Sequence, residues 1–315
     1  MTPSAGRVLA LSGGIGGAKL ALGLYRVLPP GRLTVVANTG DDFEYLGLAV
    51  SPDLDTLLYT LAGIDNPATG WGRRNETWTF MKALESLGGE TWFKLGDGDL
   101  AIHVERTRRR RGGESLSAIT DDFRRRLGVS AELLPMSDDE VRTRLLTSAG
   151  WLDFQDYFVR RGCAPGVREI AFAGASAASP QPAFLAALGD ENLRAVVICP
   201  SNPFISIDPI LALPRVREAL RFCRAPVVAV SPIIGDRAVK GPTAKIMAEL
   251  GLAVDAAAVA RHYRDFLDCY VADAADAAQT ADLGLPVTLT RSLMHTLADR
   301  EALARAVLAA ADRCR

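Results

Sequence analysis

Histidine and cysteine are scarce in this chain, with three of the first and five of the second among 315 residues. The cysteines (Cys163, Cys199, Cys223, Cys269 and Cys314) are scattered, odd in number and never spaced C-x-x-C. That spacing excludes a zinc ribbon and a paired disulfide frame, and it points to a reduced compartment. No H-E-x-x-H motif, Ser/His/Asp order or reactive-cysteine context is present, so metalloprotease and nucleophilic-triad chemistry have no residues to work with. Apolar runs stay short of the roughly 18 residues a membrane span needs, and no charged n-region with an apolar stretch opens the chain. An excess of one charge is missing too. The 36 basic and 37 acidic residues leave a net charge of −1, which argues against a nucleic-acid partner. These absences make a cytoplasmic protein the expectation. The run Arg106 to Arg111 contains five arginines with few aromatics nearby, and it reads as a solvated helix end or loop.

What the chain does have is glycine in an informative place. The segment Ser12-Gly-Gly-Ile-Gly-Gly-Ala-Lys-Leu20 follows a short apolar strand, Arg7 to Leu11, and opens a helical run, Ala18 to Val27. Such a strand-to-helix turn presents free backbone N–H groups and the positive end of a helix, which suit a phosphate. Glycine lets ligand oxygens approach the backbone without an intervening Cβ. The segment misses both common signatures. A dinucleotide fingerprint read from Gly14 and Gly16 meets Lys19 at its last position, and a Walker A loop lacks its hydroxyl because Leu20 follows Lys19. An anion cradle of neither class remains.

Alternating strands and helices in the first hundred residues, with Leu33 to Ala37 as a second strand and Asp53 to Leu61 as a second helix, predict an α/β fold. The sheet should be Rossmann-like, parallel and flanked by helices. Leu193 to Cys199 and Pro226 to Val230 read as later buried strands, ending in Pro200-Ser-Asn-Pro203 and Ser231-Pro-Ile-Ile-Gly235. Ligands of open α/β sheets sit beyond the carboxyl ends of the strands, so these turns should share one crevice. Residues 112–165 read as a helix-rich insertion or cap on a core of 1–111 and 166–315. Ser137 with Glu140 three residues on has the form of a capping box and predicts a helix start. A further helix is expected from Asp299 to Arg315.

The second strand runs into Asn38-Thr-Gly-Asp-Asp42, and Ser51-Pro-Asp-Leu-Asp-Thr56 follows shortly after. Clustered carboxylates (Asp41, Asp42, Asp53, Asp55) beside a phosphate loop supply the hard oxygen ligands of Mg²⁺. Helix or turn capping by Asp53 and Asp42 is the competing reading. Lys94-Leu-Gly-Asp97 adds a cation and an acid in a turn, His103 follows, and Lys240 and Lys245 add phosphate-compatible charge. With no nucleophile to form a covalent intermediate, the expected chemistry is electrostatic positioning of a phosphoryl centre for attack by a hydroxyl.

Together with Leu134-Pro-Met-Ser-Asp-Asp139, Phe154-Gln-Asp156, Pro200-Ser-Asn-Pro203 and Val230-Ser-Pro-Ile-Ile-Gly235, these segments resemble the 2-phospho-L-lactate transferase family of coenzyme F-420 biosynthesis. The resemblance spans about residues 7 to 270. It implies transfer of a phospho-acid unit, of the lactate or enolpyruvate type, from a guanosine diphospho-conjugate to the ribitol hydroxyl of the deazaflavin Fo. GMP leaves, Mg²⁺ is required, and the enzyme is a homodimer acting on small molecules only. The family match places Asp55 and Lys94 against Fo, and Asp41 and Asp53 at the metal. It assigns Gly13, Gly14, Gly16, Gly17, Lys19, Ser201, Asn202 and Lys240 to the nucleotide and its phosphates. Asp55 and Asp53 are then the expected catalytic residues, with Asp55 orienting or deprotonating the hydroxyl. Regulators that bind nucleotide sugars share a similar glycine loop and form the alternative. A dehydrogenase is disfavoured by Lys19 and Asn38.

Overall fold

The computed structural model describes residues 6–235, 237–238 and 241–314. Strand β1 (Arg7–Ser12) leads into helix α1 (Gly14–Val27), then β2 (Leu33–Ala37), a hairpin of β3 (Phe43–Tyr45) and β4 (Leu48–Val50), and α2 (Pro52–Ala62). Helices α3 (Thr79–Ser86), α4 (Asp97–Arg111) and α5 (Leu116–Arg126) follow, then β5 (Glu132–Pro135), β6 (Arg142–Thr147), β7 (Gly150–Asp153), β8 (Val167–Ala173), β9 (Leu193–Ile198) and β10 (Val227–Val230). The strands Cys269–Asp273 and Val287–Thr290 and the helix Leu297–Arg313 close the chain.

A seven-stranded sheet runs Val287–Thr290, Cys269–Asp273, β10, β9, β1, β2, β5, and every neighbouring pair in it is parallel. Its central strands are apolar on both faces because both faces are covered, as parallel sheets require. Val8 and Ala10 point to one side, into a core with α1, α2, α5 and the C-terminal helix. Leu9 and Leu11 point to the other, into a core that includes Leu145, Phe184, Ile246 and Tyr263. Helix α1 approaches the C-terminal helix so closely that a methyl on Gly23 would collide with the Arg300 carbonyl. That last helix starts on a true capping box, Thr296 with Asp299.

Residues 112–165 are not a helix-rich insertion. After α5 the chain returns to the main sheet as β5, and β6 pairs antiparallel with both β7 and β8 in a separate three-stranded sheet. The helix expected from Ser137 does not form. Ser137 Oγ donates to the Ser179 carbonyl and accepts the Asp139 N–H, a local turn that competes with a cap. Beyond it, residues 142–147 alternate in burial, with Thr143, Leu145 and Thr147 inward, which is a strand's period. The pairing of β6 with β8 also crosses the boundary expected at 165/166.

The chain leaves β1 for β2 and β5 on one side, then returns to β9 on the other. The order therefore reverses between β1 and β9, and the crevice of such a sheet opens at that switch point. A smaller core of Tyr45, Val50, Met81 and Leu95, flanked by Phe43, Trp78, Trp92 and Phe93, forms a satellite beside it. Among the described residues no helix is long and apolar enough to cross a membrane.

Candidate active site

The loops after β1 and β9 are tied together at the switch point. The Gly13 N–H donates to Ser201 Oγ at 3.1 Å, and Ser201 Oγ donates back to the Gly13 carbonyl at 2.7 Å. Three of the loop's glycines are required by the protein's own packing. A Cβ on Gly13 would lie 2.7 Å from Asp53 Oδ2, one on Gly16 would lie 2.6 Å from the Pro200 carbonyl, and one on Gly17 would strike the Ser12 and Ser201 hydroxyls. Gly14 alone takes a positive φ, +65°, with open space where a Cβ would be.

The anion position at the start of α1 is already partly used by the protein. Asp53, in the first turn of α2, reaches across so that its Oδ1 accepts the Gly14 N–H at 2.7 Å and its Oδ2 accepts Asn38 Nδ2–H at 3.0 Å. Asn38 stands where a dinucleotide fold would carry its ribose acid, and its Oδ1 also accepts the Gly40 N–H at 2.8 Å. Asp53 therefore does not cap its own helix. Asp41, on the same turn as Asn38, is buried close to Asp53, and its Oδ1 has no partner. Asp42 accepts Ser51 Oγ–H at 2.7 Å with one oxygen and leaves Oδ1 unpaired. Burial, reinforced by the Asp53 charge, holds the Asp41 carboxyl well above the usual carboxylate range. Burial likewise lifts Asp53 to about 6 and Asp42 to about 7.

Asp55 lies one turn-face away in a different setting. Both its oxygens are bound by the guanidinium of Arg106, which is 2% exposed. His103 stands beside the pair, and Asp99 and the hydroxyl of Tyr59 complete a buried polar row. Asp55, Asp99 and His103 are the one trio among the described residues with metal-ligand spacing. The Arg106 cation fills that position electrostatically, so the trio is a poor place for a second cation. The β3–β4 hairpin and the segment before α4 carry an aromatic cluster. Phe43 and Phe93 meet edge to face at 4.8 Å, and Trp92 packs on Tyr45 at 5.2 Å. Lys94 follows Phe93 directly and is exposed.

Residues 8–301 match the family described as 2-phospho-L-lactate transferase CofD. The chain belongs to this family. It is 40% identical over 304 residues to a phosphoenolpyruvate transferase of Streptomyces griseus, covering 95% of each chain. It is also 40% identical over 306 residues to the 2-phospho-L-lactate transferase of Methanosarcina mazei, covering 96% of this chain and all of that one. A crystal structure of a UPF0052 family protein from Bacillus halodurans superposes with a TM-score of 0.64 over 96% of this chain and 98% of that one. At 14% identity that likeness concerns the fold alone.

In this CofD family member, Gly13, Gly14, Asp41, Asp53 and Ser201 lie together at the switch point. Asn202 joins them, with Oδ1 accepting the Phe204 N–H and a buried Nδ2 that has no partner. Lys19 Nζ donates to the Met294 carbonyl at 3.0 Å. Lys240 lies outside the described residues. Lys245 is structural, bonded to the Pro165 carbonyl and to Glu249. Asp97 is a cap, taking the Thr79 and Phe80 amides at the start of α3. The reading of the arginine run as solvated fails at Arg106, which is buried on Asp55. Spacing carried the missing signal: Asp99, His103 and Arg106 recur at helical intervals on one face of α4. Gln155, within the Phe154-Gln-Asp156 segment, donates from Nε2 to the Asp41 carbonyl at 3.1 Å.

Proposed function

We propose that this crevice transfers a phospho-acid unit from a guanosine diphospho-conjugate of enolpyruvate or lactate to the ribitol hydroxyl of the deazaflavin Fo, releasing GMP, as a step of coenzyme F-420 biosynthesis. One observation carries the reading: buried polar atoms without partners concentrate here. Ser12 Oγ, Thr39 Oγ1, Asp41 Oδ1, Asp42 Oδ1, Thr143 Oγ1 and Asn202 Nδ2 all lie on the strand-end loops or against them. Native proteins rarely leave such groups unpaired, and a polar, charged ligand accounts for them.

Mg²⁺ fits the donor set. Asp41 and Asp53 are buried carboxylates with no cation bonded to them, and among the described residues no third ligand closes the site, in keeping with an ion that retains waters. When bound there, Mg²⁺ would neutralise diphosphate charge and polarise the reacting phosphoryl group. The chain's own residues do the rest. Asn38 and the Gly14 amide hold Asp53, and Gln155 holds the Asp41 backbone. With the Gly13 and Gly14 amides already taken by Ser201 and Asp53, the Ile15 and Gly16 amides of the first turn of α1 and Asn202 Nδ2 are the donors left for the diphosphate. The aromatic cluster beside Lys94 suits a planar acceptor. Asp55, with both oxygens already accepting from Arg106, is better suited to aligning the hydroxyl. The hydroxyl oxygen bonds to the phosphorus that bears the acid, the bond from that phosphorus to the GMP oxygen breaks, GMP leaves with the electron pair, and the hydroxyl's proton is released to water.

Incubation with Fo, Mg²⁺ and each guanosine conjugate, followed by mass spectrometry, tests this. An adduct of Fo with the phospho-acid unit should appear with one GMP per adduct. Release of GMP with no adduct from either conjugate contradicts it. The family resemblance also supports a cytoplasmic homodimer, for which light scattering should give about twice 33.7 kDa.

A further inference from the structure

Helix α4 turns a polar face into the protein. His103 and Arg106 are each about 2% exposed in their side chains and Asp99 14%, and Thr107 on the same face locks the helix to β4 by accepting the Ala49 N–H at 2.7 Å. The His103 ring lies between two carboxylates. Its Nε2 is 3.4 Å from Asp99 Oδ2, and its Nδ1 is 3.7 Å from Asp55 Oδ2 and 3.3 Å from Arg106 Nη1. A guanidinium can only donate, so Nδ1 facing Arg106 must offer its lone pair. In the neutral ring the proton is then on Nε2, which approaches Asp99 Oδ2 at 3.4 Å without making a hydrogen bond. Asp99 in turn accepts the Tyr59 hydroxyl, and Tyr59 belongs to α2, the helix that carries Asp55. The row thus returns to the element it serves.

We infer that His103 is a positioning residue: it fixes the Arg106 guanidinium, and through it the carboxylate of Asp55, in the pose that meets the acceptor's hydroxyl. This rests on the reading of Asp55 as the group that aligns that hydroxyl. Among the described residues the guanidinium bonds Asp55, His103 Nδ1 and, at 3.3 Å from Nη1, the Ala49 carbonyl, and its Nε is unpaired, so beyond Asp55 itself His103 is the side chain that holds it. Without His103 the guanidinium could rotate away from the bidentate geometry.

The test is steady-state kinetics with the acceptor and donor varied separately. His103→Leu fills the volume without offering an acceptor atom and should raise the acceptor KM or lower kcat by roughly 10–100-fold, the worth of one hydrogen bond to a charged group. The donor KM should stay within about twofold of wild type, because the donor is held at the other end of the crevice. His103→Asn places an amide oxygen near the position of Nδ1 and should restore most of the loss. His103→Gln reaches instead to the Nε2 position and should not. If His103→Leu does not fold, the Asn and Gln variants decide between them. Equal defects in Asn and Gln, or a donor KM that moves with the acceptor KM, overturn the inference. A normal His103→Leu enzyme beside an impaired Asp55→Asn enzyme also overturns it. An unimpaired Asp55→Asn enzyme instead removes the reading of Asp55 on which it stands.

Discussion

Asp53 and Asp55 lie two positions apart in the first turn of α2, each about 5% exposed, yet their surroundings are opposite. Asp55 has its cation built in, the buried guanidinium of Arg106. Asp53 has only neutral donors, the Gly14 amide and Asn38, and shares its site with Asp41, whose charge repels it. A buried carboxylate is costly unless paired. One end of the crevice is therefore electrostatically complete, and at the other no cation is bonded to Asp41 or Asp53 among the described residues. Under the proposed function, the difference would let a single short helix carry both a group that orients the acceptor and a group that holds a metal.

The comparison predicts its largest effect at the complete end. Arg106→Met leaves the Asp55 charge buried and alone, and it should cost about 3–5 kcal/mol in urea unfolding. Asp55→Asn added to it should recover most of that loss. Asp41→Asn, at the incomplete end, should leave the metal-free protein at least as stable as wild type. A cost below about 1 kcal/mol for Arg106→Met would erase the distinction between the two ends.

A smaller effect is expected in pH dependence. An unfolded aspartate titrates near pH 4, roughly, whereas burial raises Asp42 to about 7 in the native protein. Over that interval the native state holds a proton the unfolded chain has released. The stability this gives is fully present below about pH 4 and is lost as pH rises through 7. Asp42→Asn removes the contribution. The stability of wild type minus that of Asp42→Asn, measured without metal, should therefore fall between about pH 4 and 7 and level off above. A flat difference would mean that the charges of Arg142 and Arg106, which act on Asp42, offset its burial. The smallest effect concerns Lys94, which is exposed. Lys94→Met should change stability by no more than about 0.5 kcal/mol, while raising the acceptor KM several-fold and leaving the donor KM alone.

Much of the fold was legible because buried parallel strands read as apolar runs. Leu33–Ala37 and Leu193–Ile198 needed no context. The strand Val287–Thr290 is half exposed at the sheet edge and has no such run, and β5 is a four-residue segment ending in proline. Ser137 misled because a serine with an acid three residues on fits a turn as well as a cap. In the site, the carboxylates were legible as a cluster, but their division into paired and unpaired was not. That division depends on which acids an arginine 51 positions away can reach. The glycine loop was legible as a tight turn, although most of its glycines make room for Asp53, Pro200 and Ser201 and not for ligand.

The most direct test of the central claim is turnover as a function of Mg²⁺ for wild type and Asp41→Asn, with Fo and the preferred guanosine conjugate. Wild type should transfer nothing in EDTA and recover as Mg²⁺ is added, while Asp41→Asn should stay inactive at concentrations that saturate wild type. Full turnover in EDTA, or an unaltered Mg²⁺ response in Asp41→Asn, would contradict the assignment of the incomplete end to a metal.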